Sequence, residues 1–145
     1  MPSAPVRLTV NDYDAIMDLW KAAGLTTIKP TGRDSRESFE QQMARGIQAV
    51  IGIYEGERLI GLVMATHDTR KGWVNRLAVH PDFRGQGIGG QLVRAAEEYL
   101  ASEGIGIYAA MIETDNAASL ATFKREGYHV HEDMVYVTKR ITDGI

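Results

Sequence analysis

The sequence predicts an α/β domain built on a mixed, largely antiparallel sheet flanked by helices. Three observations carry this. Two apolar, β-rich runs flank a short polar turn in the middle of the chain. Amphipathic helical segments lie on both sides of them. A glycine-rich break joins a third apolar run directly to one of those helices. The chain has 145 residues, 44% hydrophobic and 24% charged, which suits a single domain spanning 1–145.

Taken in order, Val6 to Val10 alternates as a short strand. Asn11 is placed to cap a helix, with Asp14 in its first turn. Ile16, Leu19, Trp20 and Ala23 recur at helical spacing, and Gly24 is a stop. After the loop Lys29-Pro30-Thr31-Gly32, Asp34 or Ser35 caps a second helix with an apolar face of Phe39, Met43 and Ile47. Ala49–Tyr54 and Leu59–Ala65 then flank Glu55-Gly56-Glu57-Arg58, the spacing of a hairpin with a tight turn. Gly52 and Gly61, inside those strands, mark bulges or close packing. Trp73–Val79 adds a third strand.

Ile88, Leu92, Ala95 or Ala96, and Tyr99 share a helix face that Gly104 ends. Ile105–Ile112 reads as a strand. Asp115 or Asn116 opens a helix carrying Phe123 and closed by Gly127, and Tyr128–Lys139 supplies one or two last strands. The order is β-α-α-β-β-β-α-β-α-β(-β).

Composition narrows the function. Sixteen Lys+Arg stand against 19 Asp+Glu, a net charge of −3, which speaks against a nucleic-acid partner. With no cysteine there is no disulfide, thiolate–metal site or thiol nucleophile. No basic leader and no 18-residue apolar run is visible, so the expectation is a cytoplasmic protein without a membrane partner. Edge strands leave pairing into a homodimer open.

The informative stretch is His80-Pro81-Asp82-Phe83-Arg84-Gly85-Gln86-Gly87-Ile88-Gly89-Gly90, between an apolar strand and an amphipathic helix. Glycine permits positive φ and close approach of an anion to the backbone. A helix start presents free N–H groups and the positive end of the dipole, and Arg84 can add a forked contact to a phosphate. On the glycines alone, a bare strand-to-helix turn explains the segment equally well. Gly89-Gly90-Gln91 lacks the Lys-Ser/Thr of a P-loop. The preceding antiparallel strands also do not fit a dinucleotide fold.

Leu77 to Gly89 resembles the signature strand, turn and Arg/Gln-x-x-Gly-x-Gly/Ala loop of the GCN5-related N-acetyltransferases (GNAT). Asn116-Ala117-Ala118-Ser119-Leu120 through Phe123-Lys124-Arg125-Glu126-Gly127-Tyr128 is similar to that family's Asn-led helix ending in a Gly-aromatic pair. The resemblance spans about Val6 to Arg140. It implies a GNAT-like fold with a V-shaped cofactor cleft between central strands, filled by acetyl-CoA as cosubstrate. By that likeness the backbone of Leu77, Ala78 and Val79 binds the pantetheine arm. Arg84, Gly85, Gln86, Gly87, Ile88 and Gly89 hold the pyrophosphate, and the Asn116 side chain contacts the arm. Read without the family, Leu77 and Val79 are core strand residues and Asn116 a helix N-cap.

The implied reaction moves an acetyl group directly from CoA to a primary amine of a small molecule or protein. A protonated amine must first lose a proton, and strand N–H groups can stabilise the oxyanion. The family's usual acid is a tyrosine seven residues after the Asn, where this chain has Phe123. The glutamate some relatives place five residues before the Asn is Met111 here. Glu113, two residues on and on the same face of a continuing strand, is the candidate base. A solvated strand-end carboxylate is the competing reading. Tyr108, Tyr128 and Tyr136 are acid candidates by type only, and Asn75 and His67 are placed to orient water. His80, His129 and His131 show no ligand-like arrangement, so no metal is expected. The alternatives are a catalytically weak CoA-binding sensor, which Phe123 favours, and a transferase using another acyl-CoA.

Overall fold

The computed structural model describes every residue except Gly144. β1 (Val6–Arg7) leads through a 3-10 turn (Val10–Asp12) into α1 (Tyr13–Ala22), and α2 (Arg36–Ala44) follows. β2 (Gln48–Glu55), β3 (Arg58–His67) and β4 (Gly72–Val79) form an antiparallel meander. A 3-10 turn (Pro81–Phe83), α3 (Ile88–Ser102), β5 (Tyr108–Ala109) and α4 (Ala117–Arg125) complete the set. The sheet runs β1-β2-β3-β4-β5. Its first three pairings are antiparallel and the last is parallel.

Period-two alternation sends the central strands' side chains to two cores. Ile51, Ile53, Val63, Ala65 and Val74 meet Ile88, Leu92, Val93, Ala96 and Leu100 of α3 and Phe123 of α4. Val50, Leu62, Met64 and Ala78 point the other way, against Ile16, Leu19 and Trp20 of α1 and Phe39 of α2. Covering on both faces explains why β2 and β3 read as nearly unbroken apolar runs. The hairpin turns at Gly56, whose φ of 61° only glycine adopts at little cost.

Several boundaries differ from expectation. The first strand is two residues long, because Thr9 rather than Asn11 starts the helical segment. The Thr9 hydroxyl accepts from the Asn11 N–H (3.2 Å), and the Asp12 carboxylate accepts from the Thr9 N–H (2.9 Å). Ser35, not Asp34, caps α2 by accepting from the Ser38 N–H at 3.1 Å. Ile47 lies past the end of α2 and is exposed. The strand expected over 105–112 pairs only at Tyr108–Ala109, since the chain then leaves the ladder. The strands expected within 128–139 do not form. Among the described residues this segment pairs with no strand, and from His129 to Asp143 every residue is exposed.

Candidate functional site

β4 and β5 pair only through Gly72 with Tyr108 and Trp73 with Ala109. β4 continues to Val79, held on its other side by β3, with Ala78 opposite Leu62 and Val79 opposite Gly61. Among the described residues, the stretch from Val74 onward therefore has no strand on its β5 side. Leu77, Ala78 and Val79 lie along that open edge. Ala78 is buried, while Leu77 and Val79 are half-buried against the α3 core. Their side chains serve the two cores, and their backbone has no strand partner on the β5 side.

The edge ends in the glycine loop. The His80 ring accepts from the Asp82 N–H (3.1 Å) and starts the 3-10 turn at Pro81, a structural role that matches its reading as part of the turn. Gly85 and Gly87 have φ of 79° and 78°, and a β-carbon at either would meet open space. These two glycines are required by backbone conformation and leave the loop uncovered. The Gln91 N–H donates to the Gly87 carbonyl (3.2 Å). The N–H groups of Ile88, Gly89 and Gly90 precede that first intrahelical bond, and no side chain caps them. Ile88 itself is buried, so only its backbone faces the loop. Arg84 and Gln86 are exposed. Arg84 donates its Nε–H to the Val79 carbonyl (3.2 Å), which lays the guanidinium along the end of β4.

α4 closes the far wall. A β-carbon on Gly89 would sit 3.4 Å from Thr122 of α4 and 3.8 Å from Leu77 of β4, so loop, strand and helix converge there. Asn116 does cap α4: its side-chain oxygen accepts from the Ser119 N–H at 3.1 Å. That leaves the exposed amide NH2 as a donor. Glu113 is exposed just before α4, and its carbonyl accepts from the Asn116 N–H (3.0 Å). Because β5 stops at Ala109, no continuing strand puts Glu113 on the same face as Met111.

The tyrosine candidates separate clearly. Tyr128 donates its hydroxyl to Glu97 (2.8 Å), and its ring meets Phe123 edge-on at 4.9 Å. Burial first, then the Glu97 bond, pushes the Tyr128 hydroxyl far above its ordinary range, so it holds its proton. Phe123 is itself buried in the α3 core. Tyr108 belongs to the short β5 and Tyr136 is exposed. His67 lies beside Gly72, at the end of β4 away from the loop. Its Nδ1 accepts from the Thr69 N–H (3.0 Å) and its Nε2 faces Glu103 at 3.3 Å. Asn75 is nearer the opening and bonds the Thr66 hydroxyl at 3.4 Å.

One feature escaped the sequence. β4 bulges opposite β3 between Leu62 and Met64, and Arg76 in that bulge has φ of 52°. Its guanidinium forks onto Asp34 (2.8 and 3.2 Å) and lies 4.9 Å over the Trp20 ring. Asp34 also accepts from the Lys29 N–H at 2.8 Å, and its carbonyl accepts from the Tyr13 hydroxyl. The α1–α2 segment is thus tied to β4 one residue before Leu77. Only the run of polar residues Asn75-Arg76 inside an apolar strand hinted at it.

Fold and site together define a class: an α/β domain whose mixed sheet ends in a short parallel pair beside a glycine-rich strand-to-helix turn. Residues 13–128 match the model of the Acetyltransferase (GNAT) family, and the chain belongs to that family. Members of this family use acetyl-CoA as acyl donor. Similar solved structures include the PaiA N-acetyltransferase of Thermoplasma acidophilum in complex with coenzyme A. It is 16% identical, with 90% of this chain and 91% of that one covered and a TM-score of 0.76. A transcriptional regulator from Bacillus halodurans C-125 is 18% identical over 96% and 100% of the two chains, with a TM-score of 0.79. AAC(6')-Iy, in complex with the bisubstrate analogue CoA-S-monomethyl-acetylneamine, is 15% identical over 97% and 99%, also at 0.79. At these identities the likeness is one of fold. No helix among the described residues is long and apolar enough to cross a membrane.

Proposed function

We propose that this chain transfers an acetyl group from acetyl-CoA directly to a primary amine of a small molecule or protein. The observation that carries the reading is the convergence at Gly89, where the unpaired edge of β4, the uncapped start of α3 and the wall of α4 meet. The residues present suit coenzyme A. An open strand edge offers backbone donors and acceptors to an amide-bearing arm. A cradle of N–H groups at a helix start, beside an exposed guanidinium, suits a pyrophosphate.

When bound, acetyl-CoA supplies an activated thioester. In this reading Leu77, Ala78 and Val79 hold the arm through their main chain. Arg84, Gly85, Gln86, Gly87, Ile88 and Gly89 take the phosphates, and the Asn116 amide NH2 donates to the arm. Glu113, exposed just before α4, is the carboxylate proposed to draw a proton from the amine. Phe123 has no proton to give, and Tyr128 keeps its own for Glu97. A thiol of ordinary pKa, about 8.5, leaves without a strong acid. Absence of cysteine excludes relay through a protein thiol.

Calorimetric titration with CoA and acetyl-CoA, followed by thiol release against a panel of amines, tests this. Saturable binding and amine-dependent release of free CoA are expected. No binding at millimolar ligand overturns the assignment of the cleft. Binding without turnover on any amine leaves the sensor reading, which Phe123 at the family's tyrosine position favours.

A further inference from the structure

We propose that the acceptor is an amine that also carries a carboxylate, the chemistry of an α-amino acid, and that Arg33 receives the carboxylate. The inference rests on the acetyl-transfer reading above and names what meets the thioester. It starts from the distribution of charge. The chain has a net charge of −3, yet the two segments tied together beside Leu77 are basic. From Lys21 to Arg36, Lys21, Lys29, Arg33 and Arg36 stand against Asp34 alone. From Asp68 to Arg76, Arg70, Lys71 and Arg76 stand against Asp68 alone. The fork of Arg76 onto Asp34 (2.8 and 3.2 Å) joins the two segments.

Neither carboxylate is free to hold a cationic ligand. The Asp34 side chain is 10% exposed, accepts from Arg76 and the Lys29 N–H, and has the Arg33 Nε 3.9 Å away. Asp68 closes its own turn, accepting from the N–H groups of Arg70 (2.9 Å) and Lys71 (2.8 Å). The cations are less committed. Among the described residues Lys29, Arg70 and Lys71 enter no ion pair. Two guanidiniums share the single charge of Asp34, so one positive charge is left over there. Arg33 is the exposed member of the two, its side chain 40% accessible against 19% for Arg76. It gives one N–H to the Thr27 carbonyl (3.2 Å), and a guanidinium has five to give.

The adjoining surface of β4 is polar and uncharged. Strand alternation sends Trp73 and Asn75 to the side opposite Val74, which is buried against α3. Both are half-buried; Asn75 bonds the Thr66 hydroxyl, and the Lys71 ammonium lies 4.9 Å over the Trp73 ring. A polycationic amine meets repulsion on such a surface. A carboxylate-bearing amine gains a charge-assisted contact to a guanidinium. The same field favours the reaction, because nearby positive charge disfavours the ammonium form. The ammonium gives one proton to Glu113 and so to water, and its freed lone pair attacks the thioester carbon. The C–N bond forms, the C–S bond breaks, and sulfur leaves with the bonding pair. The nitrogen then loses a second proton as the amide forms, and the thiolate takes one up, so one proton is released overall.

Calorimetry on the CoA-loaded protein, with the standard α-amino acids, their amides and spermidine as probes, tests this. At least one amino acid should bind roughly 10-fold more tightly than its own amide. That contrast should shrink between about 0.05 and 0.5 M salt. Thiol release from acetyl-CoA should rank the probes in the same order by kcat/KM. Arg33→Gln should raise KM for the preferred amino acid roughly 10-fold with kcat nearly unchanged, and leave KM for its amide where it was. The proposal is overturned if no amino acid binds at about 10 mM, or if an amide or spermidine matches the best amino acid. An Arg33→Gln effect equal on acid and amide also overturns it. Failure of CoA itself to bind is a separate result, which removes the acetyl-transfer reading and this proposal with it.

Discussion

Arg84 spends one N–H on the Val79 carbonyl, which orients its guanidinium across the end of β4 while the remaining donors stay exposed. A side chain so placed contributes little to the fold and much to an anion beside it. Arg84→Ala should therefore weaken CoA binding by roughly 5- to 30-fold, or about 1–2 kcal/mol. The urea midpoint should scarcely move. Calorimetry on the variant checks this, and an unchanged dissociation constant removes Arg84 from the site. Arg84 was legible because it sits inside a local motif whose spacing carries its meaning. Arg76 was not. Its partner Asp34 is 42 residues away, and its left-handed conformation arises from a bulge in pairing with β3. Nothing local in the sequence encodes either. Asn116 falls between the two: its place at a helix start was readable, but only geometry shows that capping occupies the oxygen and frees the amide.

The loop is held in place by a contact between elements. Gly61 on β3 lies under the first turns of α3, where a β-carbon would come within 2.9 Å of both Ile88 and Leu92. Those side chains are buried in the core and have no room to withdraw. Gly61→Val should force α3 away from the sheet, costing about 1–3 kcal/mol from overpacking. The melting temperature should fall by several degrees, about 2–8 °C. Affinity for CoA should fall with it, because Gly85–Gly89 ride on the same helix start. Gly106→Ala is the control: its β-carbon meets nothing within 4 Å, and the change should stay within about 0.5 kcal/mol. Thermal melts of the two variants decide this, and equal melting temperatures would remove close packing as the reason for Gly61. At this scale the hairpin, α3 and α4 were readable, since turn chemistry and helical period are properties of short windows. The length of β5 and the fate of 128–139 were not. A strand exists only with a neighbour, and among the described residues 128–139 has none.

Across the whole molecule, side-chain hydroxyls fasten distant parts together, and this sets how the fold responds to alkali. Tyr54 of β2 donates to the Asp12 carboxylate at 2.9 Å, pinning the turn before α1 to the sheet. Burial first, and then this hydrogen bond, pushes its hydroxyl up from 10.0 to about 12. Tyr13, Tyr99 and Tyr128 are raised as well, each mainly by burial, so four of the six tyrosines act in the same direction. The order of helices and strands was legible without any of these ties, because hydrophobic period alone dictates it. The ties join residues tens of positions apart and become visible only when the two cores are assembled. For Tyr54, the unfolded chain loses its proton near pH 10 while the folded chain keeps it until about pH 12. The unfolded state then binds fewer protons, so stability falls with rising pH. Tyr54's contribution is complete below pH 10 and disappears between about pH 10 and 12. Tyr54→Phe should cost about 1 kcal/mol at neutral pH through the lost hydrogen bond, yet decline less steeply than the parent above pH 10. Urea unfolding at steps from pH 7 to 11.5 measures both slopes, and parallel alkaline declines in the two proteins would show that this hydroxyl is not part of the alkaline weakness.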